Sequence, residues 1–157
     1  MIPAKSLRDS VSLPWLALSI LMIALIWGNS MVPGTGSSSI SLSVMDAVHG
    51  FLAALGLPYE WVTNFLVRKA AHFTEYAVLG ILVSQALDPA HTISGRSVAA
   101  TALVCVLVPS IDETIQLFVS GRSGQVTDVL LDCCGAATGI ALRSFFVRWR
   151  ARGSYAS

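Results

Sequence analysis

The chain has 157 residues, 54% hydrophobic and only 12% charged, with a formal net charge of +1. That is about half the charge of an ordinary soluble domain, and the near-neutral balance points away from a nucleic-acid partner. The length suits one domain over residues 1–157, and the composition is that of an all-α integral membrane protein.

A bilayer core about 30 Å thick takes roughly 20 mostly apolar helical residues. Four segments approach that length, predicting a bundle of four transmembrane helices over 11–28, 70–87, 97–118 and 126–147. The first, "VSLPWLALSILMIALIWG", is free of charge. Lys5 and Arg8 before it resemble the basic region of a signal peptide, but Gly28-Asn29-Ser30 lacks the usual alanine pattern and Trp27 crowds it. It is read as a span. The other three segments each carry acids at one end.

Residues 29–69 form an outer segment. "GTGSSSIS" has the composition of a flexible linker. Beyond it Val44, Val48, Phe51, Leu52 and Leu55 share a helical face, with Ser43 as the expected cap and Gly56 as the stop. That amphipathic helix is expected to lie on the outer leaflet or to cover the bundle. Lys5, Arg8, Arg96, Arg143, Arg148, Arg150 and Arg152 fall on one side of the four spans, and Arg68, Lys69 and Arg122 on the other. Positively charged residues favour the cytoplasmic side, so both termini are expected there. Trp15, Trp27, Trp61 and Trp149 sit where interfacial anchors would. His49 and His91 read as surface residues, and Cys105, Cys133 and Cys134 as small buried hydrophobes.

Counting inward from each cytoplasmic end brings distant polar residues to one depth. His72 and Glu75 fall one to two turns below the outer surface, and Asp112, Glu113 and Asp132 about one turn. Arg68, His72 and Glu75 recur at i, i+4 and i+7 and share a face. Asp112 with Gln116, and Asp128 with Asp132, are i, i+4 pairs. Asp112 and Glu113 are about 100° apart around the helix, so one is expected to face the site and the other a neighbouring helix or the headgroups. A charge at mid-bilayer costs roughly 3 kcal/mol or more, so such groups face a cavity or a partner. Pro109 is positioned to kink the third span, and Gly135 with Gly139 offers a small-xxx-small packing face.

The stretches "RKAAHFTEYAVLG" and "DETIQLFVSGRSGQVTDVLLDCCGAATG" together resemble the VanZ-like family of bacterial membrane proteins. Its pattern falls on Arg68, Lys69, His72, Phe73, Glu75, Tyr76, Asp112, Glu113, Gln116, Gly121, Arg122, Asp128, Gly135, Ala136 and Gly139, over roughly Val67 to Ile140. Many members have Asn where this chain has Asp132. The resemblance implies a multi-pass protein of the bacterial cytoplasmic (inner) membrane with a role in the cell envelope. The name-giving member is associated with low-level resistance to the glycopeptide teicoplanin.

The first functional expectation is binding of an anionic or glycan-bearing envelope lipid, such as a lipid-linked precursor. Arg68, Lys69 and Arg122 would hold its anion, with Tyr76, Gln116 and Asp132 completing the binding set. The second is a membrane-embedded hydrolase or transferase with His72, Glu75, Asp112, Glu113 and Asp128 as catalytic candidates. A divalent metal is a possible cofactor there, Mg²⁺ or Mn²⁺ through oxygens or zinc through the histidine, although no metal-binding motif occurs. No Gly-x-Ser-x-Gly or Walker loop is present either. A structural network fixing helix register, or a subunit presenting its Gly135/Gly139 face to another membrane protein, completes the set. A conduction path is disfavoured, because the inner half of the bundle offers only neutral polar groups such as Ser84, Gln85 and Thr101.

Overall fold

In the computed structural model, which describes residues 11–153, the chain forms five helices: α1 (Leu13–Ser30), α2 (Gly34–Ala54), α3 (Asn64–Leu87), α4 (Gly95–Gln116) and α5 (Val126–Gly153). There is no strand among the described residues. Lys5 and Arg8 lie outside them, and with them the basic stretch before the first span.

Local chemistry sets most boundaries. Pro14 opens α1, where its missing N–H costs nothing. Thr63 caps α3 by accepting from Leu66 N at 3.2 Å, and Ser94 caps α4 by accepting from Ser97 N at 3.2 Å. At the end of α2, Gly56 takes a left-handed φ of 69° while Leu57 N donates to Leu52 O at 3.0 Å, a Schellman closure.

The outer segment departs from expectation. Residues 34–41, "GTGSSSIS", belong to α2 instead of a linker, and the helix begins after Pro33 instead of at Ser43. Hydroxyls that composition reads as solvating are turned onto the helix itself: Ser41 and Ser43 bond carbonyls three or four residues back. Phe51 and Leu55 are exposed, while Ser41 packs inward. His49 is not a plain surface residue; its Nε2 lies 2.7 Å from Val62 O and its ring 5.1 Å from Tyr59.

The remaining helices alternate in direction. Ser12 N donates to Ala86 O at 2.8 Å, joining the start of α1 to the end of α3. Gly34 N donates to Ser120 O at 3.0 Å, joining the start of α2, just beyond the far end of α1, to the α4–α5 loop. At the first of these ends Arg143, 8% exposed, donates to Gln85 Oε1 and to Asp88 O, both at 2.6 Å. It thereby neutralises the carbonyl end of α3.

α3 is the axis of the bundle and packs on all four other helices. Its closest neighbour is α5, where a Cβ at Gly135 or Gly139 would run into the backbone of Phe73 or Ala77, and one at Gly80 into Ala136. The small-residue face is therefore consumed inside the chain, by α3. Tyr76, Leu79, Val83, Cys105, Val108 and Ala136 form the core with Ile26. Trp27, half-buried, packs against this core and donates from Nε1 to Val108 O at 3.3 Å. Pro109, buried within α4, cannot donate to Cys105 O, and Cys133 Sγ lies 3.5 Å from that carbonyl. Cys105 is buried as expected, but Cys134 is exposed; all three thiols are free.

Three helices, α1, α4 and α5, are long and apolar enough to cross a membrane. Leu18, Ile20 and Leu25 on α1, Leu103 and Leu107 on α4, and Leu130 and Phe145 on α5 are exposed, as a lipid-facing surface requires. α3 is not among the three, although its 24 residues reach about 36 Å. Its Arg68, Lys69, His72 and Glu75 lower its hydropathy, and its place inside the other helices shields them.

Candidate functional site

The polar groups converge where α3 and α5 begin and α1 and α4 end. The frame set by the Thr63 cap turns Arg68, His72 and Glu75 toward one groove. One residue on from Arg68, Lys69 points to α5 and pairs with Asp128 at 2.5 Å. Asp128 lies in the first turn of α5, where a carboxylate also meets the positive end of the helix.

Asp112 and Asp132 are fully buried, and Glu113 and Gln116 nearly so. The Gln116 amide nitrogen lies 3.2 Å from Asp112 Oδ2, 2.9 Å from Glu113 Oε1 and 3.5 Å from Ser30 Oγ. It holds the two acids on their separate sides of α4. Glu113 Oε2 accepts Gln125 N at 2.8 Å, which ties down the approach to α5. Asp112 turns to the interior, where Ser30, Gln116 and Tyr76 gather around it.

Asp132 stands opposite His72 because Gly135, one turn on, lets α5 touch the α3 backbone at Phe73. One ring nitrogen of His72 and one oxygen each of Asp112 and Asp132 lie within 4.8 Å of one another. Two full negative charges at that range repel by about 3.5 kcal/mol even at an effective dielectric of about 20. Both Asp132 oxygens and His72 Nδ1 have no hydrogen-bond partner among the described residues. These three residues form the one group fit to ligate a metal among those described. Glu75 is not part of it; it lies half-buried along the groove.

The cations divide their work. Arg122 donates from Nε to Val32 O at 3.1 Å and from Nη2 to Asn29 O at 2.7 Å, so it closes the carbonyl end of α1. Burial and the adjacent Arg68 charge weaken its hold on its proton relative to an ordinary arginine, against the pull of Asp112, Glu113 and Glu75. Gly121, at φ 74°, and Gly34 meet backbone to backbone and seat this loop against the start of α2. Lys69 is taken by Asp128. Arg68 makes no hydrogen bond or ion pair among the described residues.

Two cavities meet here. A groove of about 760 Å³ runs between α1, α2 and α3, lined by apolar residues such as Met22, Ile40, Val44 and Val62 and reaching Arg68, His72 and Glu75. A polar pocket of about 240 Å³ is lined by Asn64, Lys69, Gln116, Ser123, Gln125 and Asp128. Arg68 and His72 line both. Ser30, Asn64 and Gln125 were not singled out from sequence. Single polar residues at helix ends carry no periodic signal, though the depth count that found Asp112 would also have reached Ser30.

Exposed apolar helices around a buried, polar, histidine-containing cluster define a helical membrane protein with an internal ionisable site. Residues 15–147, most of the chain, match the family described as VanZ/LLP1, and the chain belongs to that family. Neither a curated protein nor a solved structure matches it.

Proposed function

We propose that the protein binds an anionic envelope lipid, with acyl chains in the groove and the headgroup at Arg68 and the polar pocket. The observation that carries this reading is the junction of an apolar groove with a polar pocket at an arginine that has no hydrogen bond or ion pair among the described residues. A ligand that is apolar at one end and anionic at the other fits such a junction, and a guanidinium binds phosphate through paired donors. The reading takes α3 as a fourth span, with both termini cytoplasmic and the site on the extracytoplasmic side. Arg143, Arg148, Arg150 and Arg152 at the opposite end support that orientation. A glycan-bearing envelope lipid is the ligand class through which the teicoplanin association of the family's name-giving member would extend to this chain.

Native mass spectrometry of the protein extracted with its own lipids tests the proposal. Arg68→Ala removes a charge-assisted contact worth about 1.5 kcal/mol, so the lipid-bound fraction should fall about tenfold in affinity. Arg148→Ala, at the other end, should leave it unchanged. Equal lipid adducts in wild type and Arg68→Ala would refute the assignment.

A further inference from the structure

We propose that His72, Asp112 and Asp132 bind a divalent first-row metal ion, zinc or manganese, inside the bundle. The inference is independent of lipid binding and rests on the side chains alone. Their three donor atoms come from three helices and lie within 4.8 Å of one another. Ligands about 2.0–2.1 Å from a shared ion stand about 3 to 3.4 Å apart, so a closure of about 1.4 Å, within the reach of side-chain rotation, completes the set.

Asp132 is the residue that most needs an explanation. It is fully buried, and neither oxygen has a hydrogen-bond partner among the described residues. A buried carboxylate in that condition is normally paired, protonated or bound to metal. No cation among the described residues pairs with it: Lys69 is on Asp128, and Arg122 is on the α1 carbonyls. His72 Nδ1 is also buried without a partner. A histidine with an unpartnered ring nitrogen, placed beside two carboxylates, has the donor chemistry of a metal ligand.

Charge bookkeeping agrees. Glu75, Asp112, Glu113, Asp128 and Asp132 face Arg68, Lys69 and Arg122, five acids against three cations. When all are ionised the layer carries two negative charges in excess, which one divalent ion would neutralise. The imidazole selects within that class: a nitrogen with two oxygens suits zinc or manganese better than calcium or magnesium, which take oxygen donors. The site is also held in place, since the backbone contact of Gly135 with Phe73 fixes Asp132 across from His72, and Gln116 fixes Asp112.

The test uses the full chain in nanodiscs of phosphatidylcholine, a lipid without net charge. The protein is stripped with chelator and incubated with ZnCl₂ or MnCl₂; one portion is freed of excess for metal analysis, and the other is unfolded with the metal still present. We expect about one ion per chain above empty discs, and an unfolding temperature raised by about 5–10 °C with free metal at about 100 times Kd. Asp132→Asn and His72→Gln should lose both the ion and the shift, while Glu60→Gln and the double variant Cys133→Ala/Cys134→Ala retain them. If either ligand variant fails to fold, X-ray absorption of the wild type decides, with a nitrogen–oxygen shell expected and sulfur ligands overturning the site. Wild type without bound ion, or an ion kept by both ligand variants, overturns it equally and leaves Asp132 as a protonated acid.

Discussion

Replacing Gly139 by alanine tests the contact that assembles the site. In an open helical position the change stabilises, because alanine loses less backbone entropy, by about 0.5–1 kcal/mol. At Gly139 the new Cβ would fall well inside van der Waals distance of the Ala77 carbonyl and overlap its Cα region too. Ordinary contact begins at 3.4 Å, and the obstacle is backbone, which cannot rotate away. Overpacking of this kind costs about 1–3 kcal/mol, and a backbone obstacle places the cost at the upper end, about 3. The net loss is then about 2 kcal/mol, or about 4–8 °C in unfolding temperature for a chain of this size. Gly50→Ala supplies the control, since a Cβ there meets nothing within 4 Å and that residue is exposed. The assay is thermal unfolding of both variants and wild type in one detergent. If Gly139→Ala unfolds at or above the temperature of Gly50→Ala, α3 and α5 do not meet backbone to backbone and the placement of Asp132 against His72 loses its support.

Two further outcomes concern the opposite end of the bundle. Arg143→Met removes two charge-assisted hydrogen bonds from a buried position and should destabilise by about 2–4 kcal/mol, whereas Arg148→Met, exposed, should stay within about 0.5 kcal/mol. Asp88 is partly buried, which works against its ionised form, but the Thr92 and Ile93 N–H groups, the Thr92 hydroxyl and Arg143 outweigh that and hold its carboxyl below the ordinary 3.8. Its contribution is present above the unfolded value and is lost as pH falls through the lower folded value. The stability gap between wild type and Asp88→Asn should therefore be constant near neutral pH and shrink below about pH 3.8, as read by unfolding at a series of pH values; a gap that grows on acidification would contradict the hydrogen bonding seen at Asp88.

What the sequence determined by itself is everything governed by local periodicity and depth. A run of apolar residues of membrane-spanning length forms a helix whatever its neighbours, so 11–28, 97–118 and 126–147 were legible to within a few residues of α1, α4 and the greater part of α5. The common layer of His72, Asp112, Glu113 and Asp132 followed from the rise of a helix per residue, and the close approach at Gly135 and Gly139 from their spacing. Composition misled at "GTGSSSIS", because glycine and serine are judged by what they prefer in isolation, while here α2 docks on α3 and its serine hydroxyls bond their own backbone. Periodicity was also silent on partners. Arg68, Lys69 and Arg122 look alike in sequence as anion holders; the tertiary structure gives one to backbone carbonyls and one to Asp128, and gives Arg68 no hydrogen bond or ion pair among the described residues. It likewise sends Asp112 inward and Glu113 to the loop, and sets Asp132 rather than Glu75 beside His72. Those outcomes depend on which groups of four different segments come within about 3–5 Å, and no one-dimensional spacing records that; only the packing of α5 on α3 decides it.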